Sequence, residues 1–419
     1  MNRKLLSAPV RILGVALSLA VAVFNYLPSM RALRELPAVI RVTDGANGAE
    51  AALDRAASRW IYFSEASVAV SAQDAERLGE VADYSRTFLL FGRIPVKTVQ
   101  VLHSEDVHLA AGGQAVGITI RTDGVLVVGL GAVDTRDGAL SPGAAAGLRA
   151  GDVILRANGK AVADSAHLSA ICEGSDGLLT LSVQRGGETL ELDVQLVQDL
   201  QSAAWRLGLW VRDSTAGVGT LSFCDVETGW FAALGHPVSD IDTQSLLTVR
   251  DGRLLATEIV DVRKGQEGSP GELIGVFSVY DEPLGRIERN TEYGIFGSLG
   301  SMRAEEMGEI LPMGYAAEAH EGAAQLIATI SSAGPEYFDC EIIRVNAQSG
   351  AASKGMVIRV TDQRLLDVTG GIVQGMSGCP VIQDGKLLGI VTHVFVNDPT
   401  RGYCIYAEWM REQIMDAQS

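Results

Sequence analysis

Ser377 stands in Gly375-Met376-Ser377-Gly378-Cys379-Pro380, a glycine-flanked turn between two apolar runs. Glycine on both sides permits backbone conformations closed to other residues and lets a second chain come close. A serine hydroxyl is a poor nucleophile until a base takes its proton, so a catalytic reading demands a histidine on the same domain. The chain has six. His236 ends the strand-like run Gly229 to Leu234, where a side chain is held rigidly and still faces a cleft. His320 sits in the polar stretch Glu318 to Gly322 and reads as solvated. His393 follows the strand after the serine and reads as a cleft wall, while His103, His108 and His167 lie outside the C-terminal β-rich region. A carboxylate must orient the base, and spacing alone leaves Asp240, Asp242, Asp261 and Asp362 open. An ordinary tight turn would use the same residues as the serine motif.

The elements around these residues read as strands. Val381-Ile382 and Leu387 to Val391, joined by a turn at Asp384-Gly385, give the serine a rigid mount. Short alternating runs at Trp205–Val211, Gly217–Phe223, Gly229–Ala233, Leu255–Val262, Ile274–Val279, Tyr293–Phe296, Ala324–Ile330, Phe338–Val345 and Met356–Val360 have the spacing of β-barrels. A helix is expected within Arg401 to Ala417. Two small barrels or one elongated β-domain fit equally well. Upstream, Gly112 to Ile120 is a glycine loop running into a strand, and Val125 to Val128 is a second strand after a turn at Asp123-Gly124. Ser141 to Lys160 holds a short small-residue helix, a strand and an Asn-Gly hairpin turn. Between 38 and 100, helix-friendly stretches at Ala49–Tyr62 and Ala72–Val81 precede strands at Thr87–Phe91 and Val96–Leu102.

Composition bounds the function. The 419 residues suffice for two or three domains, and 34 basic against 51 acidic residues give a net charge of −17. Such a surface repels phosphate backbones, which excludes nucleic acid as a partner. Five cysteines, Cys172, Cys224, Cys340, Cys379 and Cys404, show no C-x-x-C spacing, so neither a zinc site nor a dense disulfide framework is indicated, and no cofactor is expected. Arg3, Lys4 and Arg11 precede the apolar run Ile12 to Leu27, the order of a secretory signal or signal anchor. With no small-x-small cleavage site after it, an uncleaved anchor that exports the bulk of the chain is expected.

Residues 101–198 resemble a PDZ domain of bacterial type. That likeness implies a groove in which a peptide adds a strand beside Val116, Gly117, Ile118, Thr119 and Ile120. The order His236 then Ser377, with a hairpin after the serine, resembles the trypsin-type double barrel, which implies an oxyanion hole from the amides of Gly375 and Ser377. Taken together, Gly217-Thr-Leu-Ser-Phe, Leu234-Gly-His-Pro, Val360-Thr-Asp, Gly370-Gly-Ile-Val-Gln-Gly-Met-Ser-Gly and Val391-Thr-His resemble the stage IV sporulation protein B peptidases.

That resemblance assigns His236, Asp362 and Ser377 as the catalytic residues. It implies a mainly β serine endopeptidase, membrane-anchored and exported into the space between the two membranes of the developing spore. It also implies cleavage of a membrane-bound regulator of an intramembrane protease, self-cleavage, sigma-factor activation and self-association through the PDZ domain. The expected organisation is 1–37 anchor, 38–100 linker domain, 101–198 PDZ and 199–419 peptidase. Cys379 departs from the family's serine after Ser377-Gly378 and raises the alternative of a cysteine nucleophile. A degenerate, non-catalytic PDZ scaffold is the other reading.

Overall fold

A computed structural model describes residues 30, 33–34, 36–42, 53–54, 57, 61–66, 81–104, 106–300, 303–346, 348 and 350–418. The apolar run 12–27 lies outside them, as does the helix-friendly stretch 72–80. Among the described residues no helix is long and apolar enough to cross a membrane. The N-terminal part is a four-stranded sheet of β1 (Val39–Val42), β2 (Ile61–Ala66), β3 (Val81–Leu90) and β4 (Ile94–His103), in the order β1-β4-β3-β2. Ile61 and Tyr62, read from sequence as the end of a helical stretch, open a strand instead. Ile40, Phe88, Val99 and Val101 form its core.

After β5 (His108–Ala111), the 16-residue strand β6 (Ala115–Leu130) joins two domains. The sequence suggests a turn at Asp123-Gly124, but the strand runs straight through. Gly124 takes φ +73, and a Cβ there would stand 2.4 Å from the Ile154 carbonyl oxygen, so glycine absorbs an irregularity without ending the strand. The second half of β6 belongs to the PDZ domain. With it come β7 (Val133–Thr135), β8 (Gly138–Leu140), α1 (Pro142–Ala145), β9 (Val153–Ala157), β10 (Lys160–Ala161), α2 (Ser165–Glu173), β11 (Leu178–Arg185) and β12 (Glu188–Gln195). Val125, Val127, Ile154, Leu168 and Leu181 are its core. The hairpin at Asn158-Gly159 forms as expected, with both residues at positive φ.

The first half of β6 belongs to the peptidase. After the PDZ elements the chain continues with β13 (Val197–Gln198), β14 (Trp205–Arg206), β15 (Leu209–Asp225), β16 (Trp230–Ala233), β17 (Asp251–Ala256), β18 (Glu258–Arg263), β19 (Glu272–Val276), β20 (Gly285–Thr291), β21 (Gly294–Leu299) and β22 (Ile310–Pro312). The path β6-β17-β20-β21-β16-β15 closes because β15 also pairs with β6, which makes a six-stranded ring. A second closed barrel has the order β23-β24-β25-β28-β27-β26, formed by β23 (Gly322–Thr329), β24 (Pro335–Val345), β25 (Met356–Val360), β26 (Pro380–Gln383), β27 (Lys386–Phe395) and β28 (Asp398–Tyr406). Helix α3 (Gln363–Thr369) precedes the serine turn, and α4 (Ala407–Gln418) closes the chain. Helix α4 packs on both barrels, and its Arg411 Nε donates to the buried Asp225 carboxylate of β15 at 2.8 Å.

Two sequence expectations are corrected here. The PDZ unit does not begin at 101, since residues 115–121 are a barrel strand. Val116, Gly117, Ile118, Thr119 and Ile120 are therefore not a peptide groove: β15 pairs along one edge of this segment and β17 along the other, so no backbone edge is left for a ligand. The side chains of Val116, Ile118 and Ile120 fill the first barrel's core. A single strand serving two domains offers no composition shift by which a boundary could be read.

A PDZ module can take an extended peptide as an added strand, and along the second half of β6 the chain supplies its own strand. Leu209 pairs with Leu130, Trp210 with Gly129, Val211 with Val127 and Arg212 with Leu126. A cavity of about 400 Å³ remains beside it, walled by Leu168 and Cys172 of α2 and by Trp205 and Leu209.

Candidate active site

Each barrel contributes one side of a cleft of about 540 Å³ that is lined by His236, Gly375, Ser377, Thr392 and His393. On the first barrel, β16 is followed by Leu234 and Gly235, both in the left-handed region at φ +73 and +71. Leucine pays a steric penalty there that glycine does not, and the two residues turn the chain sharply to present His236. The turn packs on the second barrel: a Cβ at Gly235 would lie 3.0 Å from Thr392 Cγ2.

The tautomer of His236 follows from its partner. Nδ1 lies 2.8 Å from the Pro237 carbonyl oxygen, which can only accept, so Nδ1 carries the proton and Nε2 keeps its lone pair. Burial pushes the pKa of His236 below the ordinary value of 6.5, against the smaller upward pull of the Pro237 carbonyl. The His393 ring is 5.2 Å from it, tilted by 40°.

The serine turn is held from three sides. Thr220 of β15 donates its N–H to the Ser377 carbonyl at 3.0 Å and its Oγ1 hydrogen to the Gly375 carbonyl at 2.7 Å. Leu273 N–H of β19 donates to the Gln374 carbonyl at 2.8 Å, and Cys379 N–H to the Met376 carbonyl at 3.1 Å. In a trans peptide the N–H points opposite to the C=O. Fixing those two carbonyls therefore fixes the amides of Gly375 and Ser377. Among the described residues neither of these amides donates to a protein acceptor. Gly375 sits at φ +95, and a Cβ there would stand 3.0 Å from Leu273 Cβ. The Ser377 hydroxyl donates to the Thr392 carbonyl at 2.8 Å, within the β-bulge of β27, rather than to His236.

The structure brings His236, Ser377 and Gly375 together and leaves Asp362 apart. Asp362 caps α3: its carboxylate accepts from Arg364 N–H at 2.9 Å, the Arg364 guanidinium at 2.8 Å and Asp339 N–H at 3.2 Å. The Arg364 hydrogen bond, above all, holds its pKa down at about 2. It makes no contact with His236 and does not line the cleft. As a cap it anchors the helix that leads into the serine turn, and a Thr-Asp pair followed by a helical run carries the sequence signature of an N-cap.

The remaining carboxylate candidates are also engaged elsewhere. Asp240 is buried and takes the Arg212 guanidinium together with the N–H groups of Asp242 and Thr243, while Asp242 takes the other Arg212 nitrogen at 3.0 Å. Asp261 accepts from Val262 N–H on an exposed edge. His320 pairs with Asp384 at 2.8 Å, and His167 accepts from Ala163 N–H beside α2.

Cys379 is fully buried, its Sγ directed at Thr220 Oγ1 at 3.6 Å, and burial raises its pKa to about 12. A thiol so protonated at neutral pH is no nucleophile, which overturns the cysteine alternative. Thr220, Leu273 and Thr392 escape sequence reading because each looks like any alternating strand residue. Their role arises from contacts more than a hundred residues away along the chain for Thr220 and Leu273, and from a bulge for Thr392.

Two six-stranded β-barrels sharing a cleft, with a histidine from the first and a glycine-flanked serine from the second, have the layout of a double-barrel serine peptidase. Comparison with known families sharpens this: residues 203–411 match the SpoIVB peptidase S55 family and residues 116–196 match the PDZ domain family. The chain belongs to the PDZ-containing SpoIVB peptidase S55 family, a family of sporulation serine peptidases. Among solved structures, the PDZ domain of the SdrC-like protein from Listeria monocytogenes is 22% identical, covering 21% of this chain and 87% of that one, with a TM-score of 0.18. No curated protein matches the chain.

Proposed function

We infer that the protein is a serine endopeptidase in which Ser377 attacks the scissile carbonyl and His236 moves the proton. The hydroxyl leaves the Thr392 carbonyl and turns to Nε2 of His236, which takes its proton as Oγ bonds to the carbonyl carbon. The oxyanion accepts from the Gly375 and Ser377 amides. Collapse transfers the proton from Nε2 to the leaving amine and leaves an acyl-serine, which water then hydrolyses with His236 again as base. The observation that carries this reading is the pair of unoccupied amides beside a serine and a histidine whose tautomer leaves Nε2 basic.

Family membership and the basic-then-apolar N-terminus support the wider role. The enzyme is anchored and exported, acts between the two membranes of the developing spore, and cuts a membrane-bound regulator of an intramembrane protease as well as its own N-terminal region. The PDZ domain supplies recognition of protein substrates and self-association, and a target peptide enters its groove by displacing Leu209 to Arg212. Asp362 acts on the serine side, by capping α3. Incubating the purified full chain with an unstructured protein substrate tests the peptidase reading. Cleavage is expected from wild type and Cys379→Ala and lost in Ser377→Ala and His236→Ala. Equal cleavage by wild type and Ser377→Ala would contradict it, and cleavage by none would favour a scaffold.

A further inference from the structure

The β3–β4 hairpin ends in apolar side chains that its own sheet leaves in the open: Tyr62 is 51% exposed, Phe91 55% and Ile94 54%. Its turn is built against local preference. Arg93 N–H donates to the Leu90 carbonyl at 3.2 Å, and Phe91 and Gly92 take φ +54 and +70, the two left-handed positions of a type I′ turn, where Asn-Gly is the favoured pair. A phenylalanine there is strained as well as exposed, so neither turn geometry nor the core of this sheet accounts for it. Charge also sets the hairpin apart. From Tyr84 to His103 the chain carries Arg86, Arg93 and Lys97 and no carboxylate, although the whole protein stands at −17. We propose that this tip is a membrane-contacting surface, seated in the headgroup layer of the bilayer that holds the N-terminal anchor.

The sheet register aims the tip at that bilayer. Strand β1 runs parallel to β4, with Val39 opposite Gln100 and Val42 opposite His103. The chain before Val39 therefore approaches from the side on which β4 runs back from Gln100 to Ile94, a stretch that reaches roughly 20 Å past the start of β1. Lys97 ties the two together: its Nζ donates to the carbonyls of Leu33 at 3.0 Å, Arg34 at 3.3 Å and Leu36. The other end of β4 leads into β5, so the peptidase is joined at the end of the strand opposite the tip. The 11 residues from Pro28 to Ala38 span at most about 40 Å, which keeps the tip close to the bilayer once the apolar run 12–27 is in it. Each side chain suits that layer. Tyrosine favours the membrane–water interface, Phe91 and Ile94 bury apolar surface beneath the headgroups, and Arg93 pairs with lipid phosphate.

The proposal rests on the anchored reading of the N-terminus, and one preparation separates the two. The full chain is reconstituted into vesicles of phosphatidylcholine and phosphatidylglycerol, with a nitroxide on Ile94→Cys or, as a control, on Glu188→Cys of β12; the native cysteines are buried and stay unlabelled. Flotation reads the anchor, and collision with oxygen against a water-soluble nickel complex reads the tip. At position 94 nickel accessibility is expected to be at least about fivefold lower than at 188, with the nitroxide about 5–10 Å below the headgroups. Phe91→Asn supplies the residue the turn prefers, so Tm should stay within a few degrees of its parent while nickel accessibility at 94 rises at least about threefold. Arg93→Glu should raise it as well. Floating protein with an aqueous label at 94, or a label as deep in Phe91→Asn as in its parent, would overturn the tip and leave the anchor standing. Should Phe91→Asn fail to fold, a depth unchanged by Arg93→Glu overturns it equally. Spin–spin coupling between labels of two copies at 94 would assign the surface to self-association instead. Protein that does not float contradicts the anchored reading and the tip together.

Discussion

Gly375→Ala probes the oxyanion site at its most constrained point. At φ +95 an alanine is strained by roughly 1–2 kcal/mol, and its Cβ would press to 3.0 Å of Leu273 Cβ. Relief needs rotation of a flanking peptide. The Gly375–Met376 peptide is held by Thr220 Oγ1 and the Gln374–Gly375 peptide by Leu273 N–H, so one of those hydrogen bonds weakens and the Gly375 amide swings away from the oxyanion. Losing one such donor costs about 2.7–4 kcal/mol of barrier, a fall of roughly 10²–10³ in kcat. The same strain lowers stability by about 1–2 kcal/mol, a few degrees in Tm for a domain of this size. Gly385→Ala is the control, because it shares the positive φ, at +75, in an open hairpin tip with nothing within 4 Å of the new Cβ. Thermal melts and kcat on a fluorogenic peptide should show similar destabilisation in both variants and loss of catalysis only in Gly375→Ala. A folded Gly375→Ala enzyme within about threefold of Gly385→Ala in kcat would refute the placement of the oxyanion.

Two more outcomes follow from the same geometry. Because burial lowers the pKa of His236, the neutral, proton-accepting form persists to more acidic pH than for a free histidine. The rise of kcat/KM with pH should have its midpoint below about 6.5, and a midpoint above 7 would contradict the desolvated, carbonyl-bonded histidine. Arg411→Met removes the countercharge from Asp225, whose side chain is buried at 1% exposure, and should cost about 3–5 kcal/mol, read as a fall of roughly 6–20 °C in Tm. A change under about 2 °C would mean that α4 does not hold the barrels through this pair.

Much of this architecture was legible locally. The Asp384-Gly385 and Asn158-Gly159 hairpins, the strands flanking Ser377 and the strand before His236 all follow from turn chemistry and alternation, and the structure has them where expected. Non-local pairing was not legible. Residues 115–121 read as a PDZ strand because alternation says only that a strand has two faces; nothing in it says which strands will flank the edges. Asp362 illustrates the same limit at the site. Its sequence neighbourhood fits both a catalytic aspartate and a helix cap, and in the structure its carboxylate bonds Arg364 and Asp339 at the start of α3. His236 could be picked because few histidines compete. Its partner Pro237 could not, since it acts through its backbone.

Covalent labelling tests the central claim most directly. Full-length protein treated with a fluorophosphonate, followed by intact-mass measurement and peptide mapping from pH 5 to 8, should carry one adduct, on Ser377, formed faster as pH rises through the titration of His236 and absent in Ser377→Ala. No adduct, an adduct on another residue, or a labelling rate unchanged in His236→Ala would contradict the assignment of Ser377 and His236 as nucleophile and base.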